Sequence, residues 1–316
     1  MAIQMFKPVF RRFAKLVMRV LYWEPITDNK LFRACIFDSA KPNIILLSDT
    51  GKEYFLVSSN DKAIGREVYV RHGFDFEKFQ KILSLLDTKF KPALLLDIGA
   101  NIGTICIPAV KRGLFSKAIA FEPEPFNYSL LCANVALNAL TGQITTYNFA
   151  LGKVSGEKLQ FELSNKNYGD HRVSISKVEG LDSESGRDTI LVNSESLDSM
   201  VADINASNTL IWIDTQGFEG FVLEGAKAVL KNCPPLVIEF WPYGMSRTGS
   251  FKALKREILQ AGYSEFYDLN QSPLVVARVS DDAFENLYLN IGVKGNFTDL
   301  LLIQGNPQTH LISSQA

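Results

Sequence analysis

The sequence predicts an α/β fold whose mostly parallel sheet carries helices on both faces, and three observations predict it. After Pro92, apolar runs short enough to be buried strands alternate with stretches of helical periodicity, as a parallel sheet with crossover helices requires. The first run, ALLLDIG, ends in a glycine turn and the second, KAIAFEP, ends in an acid; ligands of open α/β sheets sit beyond such strand ends. With 316 residues and 47% hydrophobic side chains, the chain can bury one large core and a small appendage.

Residues 1–90 read as an N-terminal extension and residues 91–316 as the main domain. In the extension, Pro8 to Trp23 sets Val9, Phe13, Leu16, Val17 and Val20 at helical spacing beside Arg11, Arg12, Lys15 and Arg19, with no acid before Glu24. This basic amphipathic helix suits peripheral contact of residues 1–23 with an anionic membrane surface, where each basic residue adds on the order of 1 kcal/mol. Docking on the protein's own core or on a partner subunit would use the same apolar stripe. The segment lacks the unbroken apolar run and cleavage site of a secretory signal. Ile44 to Val70 predicts a β-hairpin turning at Asp49, Thr50 and Gly51, and Phe74 to Leu86 an amphipathic helix before the Lys91-Pro92 linker.

In the main domain ALLLDIG is a buried strand. Ile102 to Lys111 is expected to be helical, capped by Gly113 and kinked at Pro108. KAIAFEP is the second strand, followed by a helix opened by Pro125, and ITTYNFALG is the third. Residues 152–200 hold short alternating pieces separated by glycine and serine, which predicts a loop-rich insertion of β-hairpins placed to close over a ligand. TLIWIDTQG is the fourth strand, Phe218 to Leu230 a helix, PLVIEFW the fifth strand and Phe251 to Gln260 a helix. YSEFYDL and FTDLLLIQ are two late strands.

Thirty-three basic against 34 acidic residues leave a formal charge of -1, which excludes general nucleic-acid binding by phosphate neutralisation. Cys35, Cys106, Cys132 and Cys233 are widely spaced, with no pair at zinc-ligand spacing, and read as reduced residues of a cytoplasmic protein. No stretch approaches the roughly 20 consecutive apolar residues of a membrane span.

The glycine turn narrows the ligand. It reads Asp97, Ile98, Gly99, Ala100, Asn101, Ile102, Gly103, without the middle glycine of a dinucleotide fingerprint, and an acid before the first glycine is a poor neighbour for phosphates. A ligand with a positive group fits better. S-adenosylmethionine does so: Asp97 can meet its ammonium, directly or through water, and the N–H groups of the turn its carboxylate. Glu122, followed by Pro123, stands where an acid accepts both ribose hydroxyls, a role it would equally serve with NAD.

Together with the helix containing Asn134 and Asn138, the ALG at 150–152, SLDSM at 196–200, IDTQGFEG at 213–220 and VIEFWP at 237–242, the segments DIGANIG and AFEP resemble the FkbM family of S-adenosylmethionine-dependent methyltransferases. The resemblance runs from about Leu94 to about Gln304. It implies a class I, Rossmann-like methyltransferase fold with a seven-stranded sheet whose last strand is antiparallel. It also implies methyl transfer to a hydroxyl of a sugar, glycolipid or polyketide-type acceptor, with Asp97, Gly99, Ala100, Asn101, Gly103, Glu122 and Pro123 around the cofactor.

Such a displacement asks the protein to position two reactants and take up one proton. Asp214, at the end of the fourth strand, is the expected acceptor-side acid, and His171, within the insertion and flanked by Asp170 and Arg172, the expected base. Asp214, Glu219 and Glu239 are compatible with Mg²⁺, though Gln216 stands where relatives carry an acid and no metal is predicted. His72 and His310 lie outside the matching segments. DTQG in place of a D/N-P-P-Y segment argues against methylation of nucleic-acid bases. Two alternatives to an O-methyltransferase stand beside it: a catalytically degenerate scaffold of the same fold, and a NAD-linked oxidoreductase, disfavoured by the turn.

Overall fold

The structure, a computed structural model, describes residues 29–73, 76–87, 89–174, 186–201 and 204–305. The basic segment Pro8 to Trp23 lies outside them.

The extension begins with α1 (Lys30–Ser39), capped by the Asn29 side chain, and the hairpin β1 (Ile45–Asp49) and β2 (Tyr54–Ser58). The hairpin stops there: residues expected to prolong it form α2 (Ile64–Arg71), after which comes α3 (Phe76–Leu85). Asp61 sets this change of direction, its carboxylate accepting the N–H groups of Ala63 and Gly65 at 3.1 and 2.7 Å. The extension is part of the main core, because Phe37, Val57, Phe79 and Ile82 pack with Leu95, Leu210, Trp212 and Val237 on one face of the large sheet. Phe79 stacks on Trp212 with ring centroids 6.0 Å apart.

The large sheet starts with β3 (Leu94–Ile98), β4 (Lys117–Phe121) and β5 (Ile144–Tyr147), linked by α4 (Cys106–Lys111) and α5 (Pro125–Leu137). Residues 102–105 turn rather than continue α4, so Pro108 is the third residue of the helix, where a missing N–H costs little, and the expected kink does not arise. In α5 two buried amides serve the hairpin: Asn134 accepts from Leu56 N–H at 2.6 Å and Asn138 from Tyr54 N–H at 3.0 Å, like an additional strand partner.

The third predicted strand is divided between two sheets. Asn148 donates its side-chain amide to the carbonyls of Glu122 and Pro123, at 2.8 and 3.0 Å, which ends β5 and turns the chain outward. The insertion then forms its own sheet from β6 (Ala150–Leu151), β7 (Glu157–Leu163), β8 (Arg172–Val173) and β9 (Asp188–Glu195), ordered β6-β9-β7-β8. Next come α6 (Leu197–Met200) and β10 (Thr209–Ile213).

The helix expected over 218–230 breaks into α7 (Glu219–Glu224) and α8 (Lys227–Leu230). Gly225 marks the break: a Cβ there would lie 2.0 Å from the Gly152 carbonyl, and the Gly225 carbonyl accepts from Asp198 N–H at 2.9 Å. The Asp198 carboxylate then caps α8 through Ala228 and Val229, each at 3.0 Å. Through this contact the insertion is seated on the main domain.

The chain closes with β11 (Leu236–Phe240), α9 (Pro242–Thr248), α10 (Phe251–Ala261), β12 (Glu265–Asp268), β13 (Val275–Arg278), α11 (Asp281–Ile291) and β14 (Thr298–Ile303). Among the described residues the large sheet has eight strands, β13-β12-β14-β11-β10-β3-β4-β5, with β14 antiparallel to both neighbours. The expected seven are present in the expected sense, and the eighth is β13, folded back antiparallel on β12 as an edge. All five residues of β10 and of β11 are buried, as strands covered on both faces must be. Side-chain alternation divides the core: Leu95 joins the extension's face, whereas Leu96 and Ile98 join Ile211, Ile213, Ile238 and Phe240 under the C-terminal helices.

Gly225→Ala is expected to destabilise the fold by about 2 kcal/mol or more, because the new methyl meets a backbone carbonyl rather than a side chain that can swing away. A lower urea midpoint with an unchanged slope is the readout.

Candidate active site

A cavity lies beyond the C-terminal ends of β3, β4 and β10. Gly99 and Asn101 of the glycine turn, Glu122 and Pro123 after β4, and Asp214, Thr215 and Gln216 after β10 form one side; Tyr168, Gly169 and His171 of the insertion and Ile64 of the extension form the other. The remaining wall is apolar, led by Phe121, Phe149, Phe161 and Phe218. The cavity thus gathers Gly99, Asn101, Glu122, Pro123, His171 and Asp214 of the predicted residues, and leaves Asp97, Ala100 and Gly103 out of its wall.

Those three shape the turn. Asp97 is 1% exposed, and its Oδ2 accepts the Cys106 N–H at 3.1 Å, so the carboxylate is directed at the start of α4 rather than into the cavity. Burial pushes it up to about 6. Gly99 and Ala100 both donate their N–H to the Phe121 carbonyl at 3.0 Å, which occupies donors expected to face a ligand. Gly99 has φ 86 and Gly103 φ 93, and each is crowded by protein. A Cβ on Gly99 would sit 1.8 Å from the Asp214 carbonyl, and one on Gly103 would meet Ile107 and Leu131 at 2.6 and 2.9 Å.

Glu122 organises the strand end beside the glycine turn. Its Oε2 accepts from Asn101 N–H and its Oε1 from Glu124 N–H, both at 2.8 Å. Each oxygen retains a second lone pair, so the carboxylate can accept two further hydroxyls. Burial raises it to about 8, against only the partial relief of these two bonds.

The insertion is fastened over the cavity at Tyr168, whose carbonyl receives the side-chain amides of Asn101 at 3.0 Å and Asn127 at 3.1 Å. On its other side, Tyr168 N–H reaches Asp61 at 3.3 Å, and Lys62 N–H reaches the Lys166 carbonyl at 2.7 Å. The extension therefore closes the site, a role no local motif announced.

His171 does not have the make-up of a base. Its Nδ1 accepts the Ser164 N–H at 2.9 Å, so the neutral ring carries its proton on Nε2. Burial, and then the charge of Arg187, lower it to about 4. A ring that holds its proton so weakly is neutral near pH 7 and serves as an Nε2–H donor; the expected base role is corrected to that. His72 stands away from the site, beside Arg33.

At the end of β10, Gln216 has φ 56 and donates its amide to Asp214 Oδ1 at 2.7 Å and to Glu239 Oε2 at 3.0 Å. Glu219 is fully buried, with Oε1 accepting the N–H groups of Thr215 and Gly217 at 2.9 and 3.1 Å. Burial raises both Glu219 and Glu239, and Asp214 adds to the rise at Glu239. These acids are neighbours, yet among the described residues no group of three His, Cys, Asp or Glu is arranged to hold a metal ion. Glu219 is spent on the turn.

The sequence matches the Methyltransferase FkbM domain over residues 97–265. Solved structures similar to it include the methyltransferase FkbM of Methylobacillus flagellatus KT, 18% identical over 69% of this chain and 45% of that one, with a TM-score of 0.42. TYW2 of P. horikoshii in complex with MeSAdo is 13% identical over 84% and 74%, TM-score 0.39. TYW2 of M. jannaschii in complex with AdoMet is 12% identical over 84% and 89%, TM-score 0.39. The chain spans 45% of the length of the first of these. No curated protein matches the sequence.

Glu122 makes stability depend on pH. Unfolded, its carboxyl ionises near 4.5; folded, near 8. Between these values the folded protein keeps a proton that the unfolded chain has released, so stability falls as pH rises through that window. Glu122→Gln is neutral throughout, and its urea midpoint is expected to gain on that of the wild type from about pH 5 to about pH 8.5.

Proposed function

The chain belongs to the FkbM methyltransferase family, and from that premise we propose that it methylates a hydroxyl oxygen of a sugar, glycolipid or polyketide-type acceptor. The carrying observation is that one cavity is lined by the turn residues Gly99 and Asn101, by Glu122 of the neighbouring strand end and by Asp214 across the turn. When bound, S-adenosylmethionine supplies a methyl group carried on a sulfonium. The residues suit it. Glu122 has lone pairs left for the two ribose hydroxyls, Pro123 and Phe149 offer apolar wall to a planar base, and the acids nearby favour a cationic ligand over a diphosphate.

On the acceptor side Asp214 takes the hydroxyl proton, and His171 holds the acceptor by donating from Nε2. Tyr168, Phe161 and Phe218 exclude water and give the C–H face of a sugar or an apolar ring a surface to lie on. Asp97, Ala100 and Gly103 act indirectly, by keeping the turn in shape. Proton transfer to a positioned carboxylate contributes about 10²–10⁴-fold.

Isothermal calorimetry tests the cofactor assignment. S-adenosylmethionine should bind and NAD should not; Glu122→Ala should weaken binding at least tenfold, about 1.4 kcal/mol, and uptake equal to wild type would remove the assignment. Asp214→Asn should bind the cofactor within a few-fold of wild type and lose about 10²-fold or more of turnover once an acceptor is in hand. Cofactor binding without methylated product from any carbohydrate, lipid-linked or polyketide acceptor would favour a scaffold.

We also propose that residues 1–23 attach the protein peripherally to anionic membrane, from the basic stripe of Arg11, Arg12, Lys15 and Arg19. Among the described residues no helix is long and apolar enough to cross a membrane. Deleting residues 1–23 should lower co-sedimentation with phosphatidylserine vesicles several-fold, and unchanged binding would end the idea.

A further inference from the structure

Two acids meet across one amide on the acceptor side of the cavity. The Gln216 Nε2 lies between Asp214 Oδ1 and Glu239 Oε2, at 2.7 and 3.0 Å. Both partners are carboxylate oxygens, and the –NH₂ end of the side chain, with two protons, can satisfy both when they are ionised; the carbonyl end cannot. Gln216 holds this position from a left-handed backbone conformation, φ 56, which a side chain adopts only where its surroundings over-determine it. Asp214 and Gln216 line the cavity, whereas Glu239, 8% exposed, lies behind them on β11.

The charges around Glu239 are Asp214 just after β10, Glu219 of α7, Asp299 of β14 and Lys78 of α3, the last 2.7 Å from Asp299. Burial, then the negative charge of Asp214, hold the Glu239 carboxyl well above the usual carboxylate range. His171, across the cavity from Asp214, is neutral. The Asp214 charge disfavours ionisation of Glu239, so the two carboxyls interact as a pair.

We propose that Gln216 is a positioning residue that clamps Asp214 and Glu239 into a one-proton pair, in which Asp214 takes the acceptor's proton while Glu239 keeps its own. This rests on the methyl-transfer reading above. In the step, the acceptor O–H bond breaks and its proton passes to Asp214 as the oxygen's electron pair bonds to the methyl carbon; the carbon–sulfur bond breaks and its pair stays on sulfur, leaving a neutral thioether. The clamp gives the pair a single negative charge, matched to the single positive charge of the sulfonium. One N–H of the amide points at Asp214 Oδ1 and favours its ionised form, while the other holds Glu239 Oε2 in place.

A ¹³C NMR titration of side-chain carboxyls in the full chain tests this without an acceptor. Wild type and Gln216→Met are compared ligand-free, with S-adenosylhomocysteine, which is neutral at sulfur, and with sinefungin, which carries an ammonium where the methyl sulfonium would be. Asp214 and Glu239 are expected to titrate as two coupled steps. The lower step should rise by about one pH unit or more in Gln216→Met, which has similar length and no donors. In wild type it should lie about one unit lower with sinefungin than with S-adenosylhomocysteine.

Independent steps that are the same in Gln216→Met would overturn the clamp, since a merely structural glutamine would change stability and leave the titration alone. Equal titration in the two complexes would overturn the assignment of Asp214 to the methyl side. Calorimetry on the same samples separates the readings: if neither ligand binds, the cofactor assignment fails, while the ligand-free titration still decides the clamp. Should Gln216→Met fail to fold, Glu239→Gln supplies the answer, with Asp214 expected to collapse to one step and a two-step curve counting against the pair.

Discussion

The close approach of two strand ends underlies the whole site. Where β3 turns into its glycine loop, the backbone of Gly99 lies so near the Asp214 carbonyl that no Cβ fits between them. That contact puts the turn expected to hold an amino-acid-like ligand directly beside the acid at the end of β10. It also aims Asp214 N–H at the Ile98 carbonyl, 2.9 Å away, so the sheet ladder continues one residue into the site. The position of Asp214 is thus set by backbone, which bends far less than a side chain.

Around this contact the protein collects acids under conditions that disfavour their charge. Asp97, Glu122, Glu219 and Glu239 are all displaced upward by burial. Backbone N–H groups offset part of that cost at Asp97, Glu122 and Glu219, and the Gln216 amide does so at Glu239. Of these four Glu122 lines the cavity, and a carboxyl that resists ionisation there gains from a ligand that brings positive charge with it. The same electrostatics makes a diphosphate an unfavourable guest.

The far wall is assembled from parts distant in sequence. Tyr168 joins three of them to the insertion: its carbonyl takes amides from the glycine turn and from α5, its N–H reaches Asp61 of the extension, and the residue itself borders the cavity. Because Asn101 also leans on Glu122 through its backbone, the glycine turn, the end of β4 and the insertion are mechanically continuous. The cluster of buried Arg172 and half-buried Arg187 and Arg247 with Asp170 and Glu162 ties the insertion further to α9.

What the sequence alone determined was local or periodic. Apolar runs of strand length, the glycine turn, the acid after AFEP and the proline at the start of α5 are written in neighbouring residues, and the sheet, the cavity's place and half its wall follow from them. For Asp97 and His171 the sequence offered the residue type but not its direction: whether a carboxylate faces a cavity or a helix start, and which ring nitrogen is free, depends on Cys106 and Ser164 being brought alongside. The split of the third strand, the broken helix at Gly225, the eighth strand and the pairing of Gln216 with Glu239 were decided by contacts between distant segments. Side-chain orientation and backbone crowding arise only when the layers pack, because a residue's chemistry is carried in its own atoms while its direction and charge state are imposed by neighbours that the order of residues does not reveal.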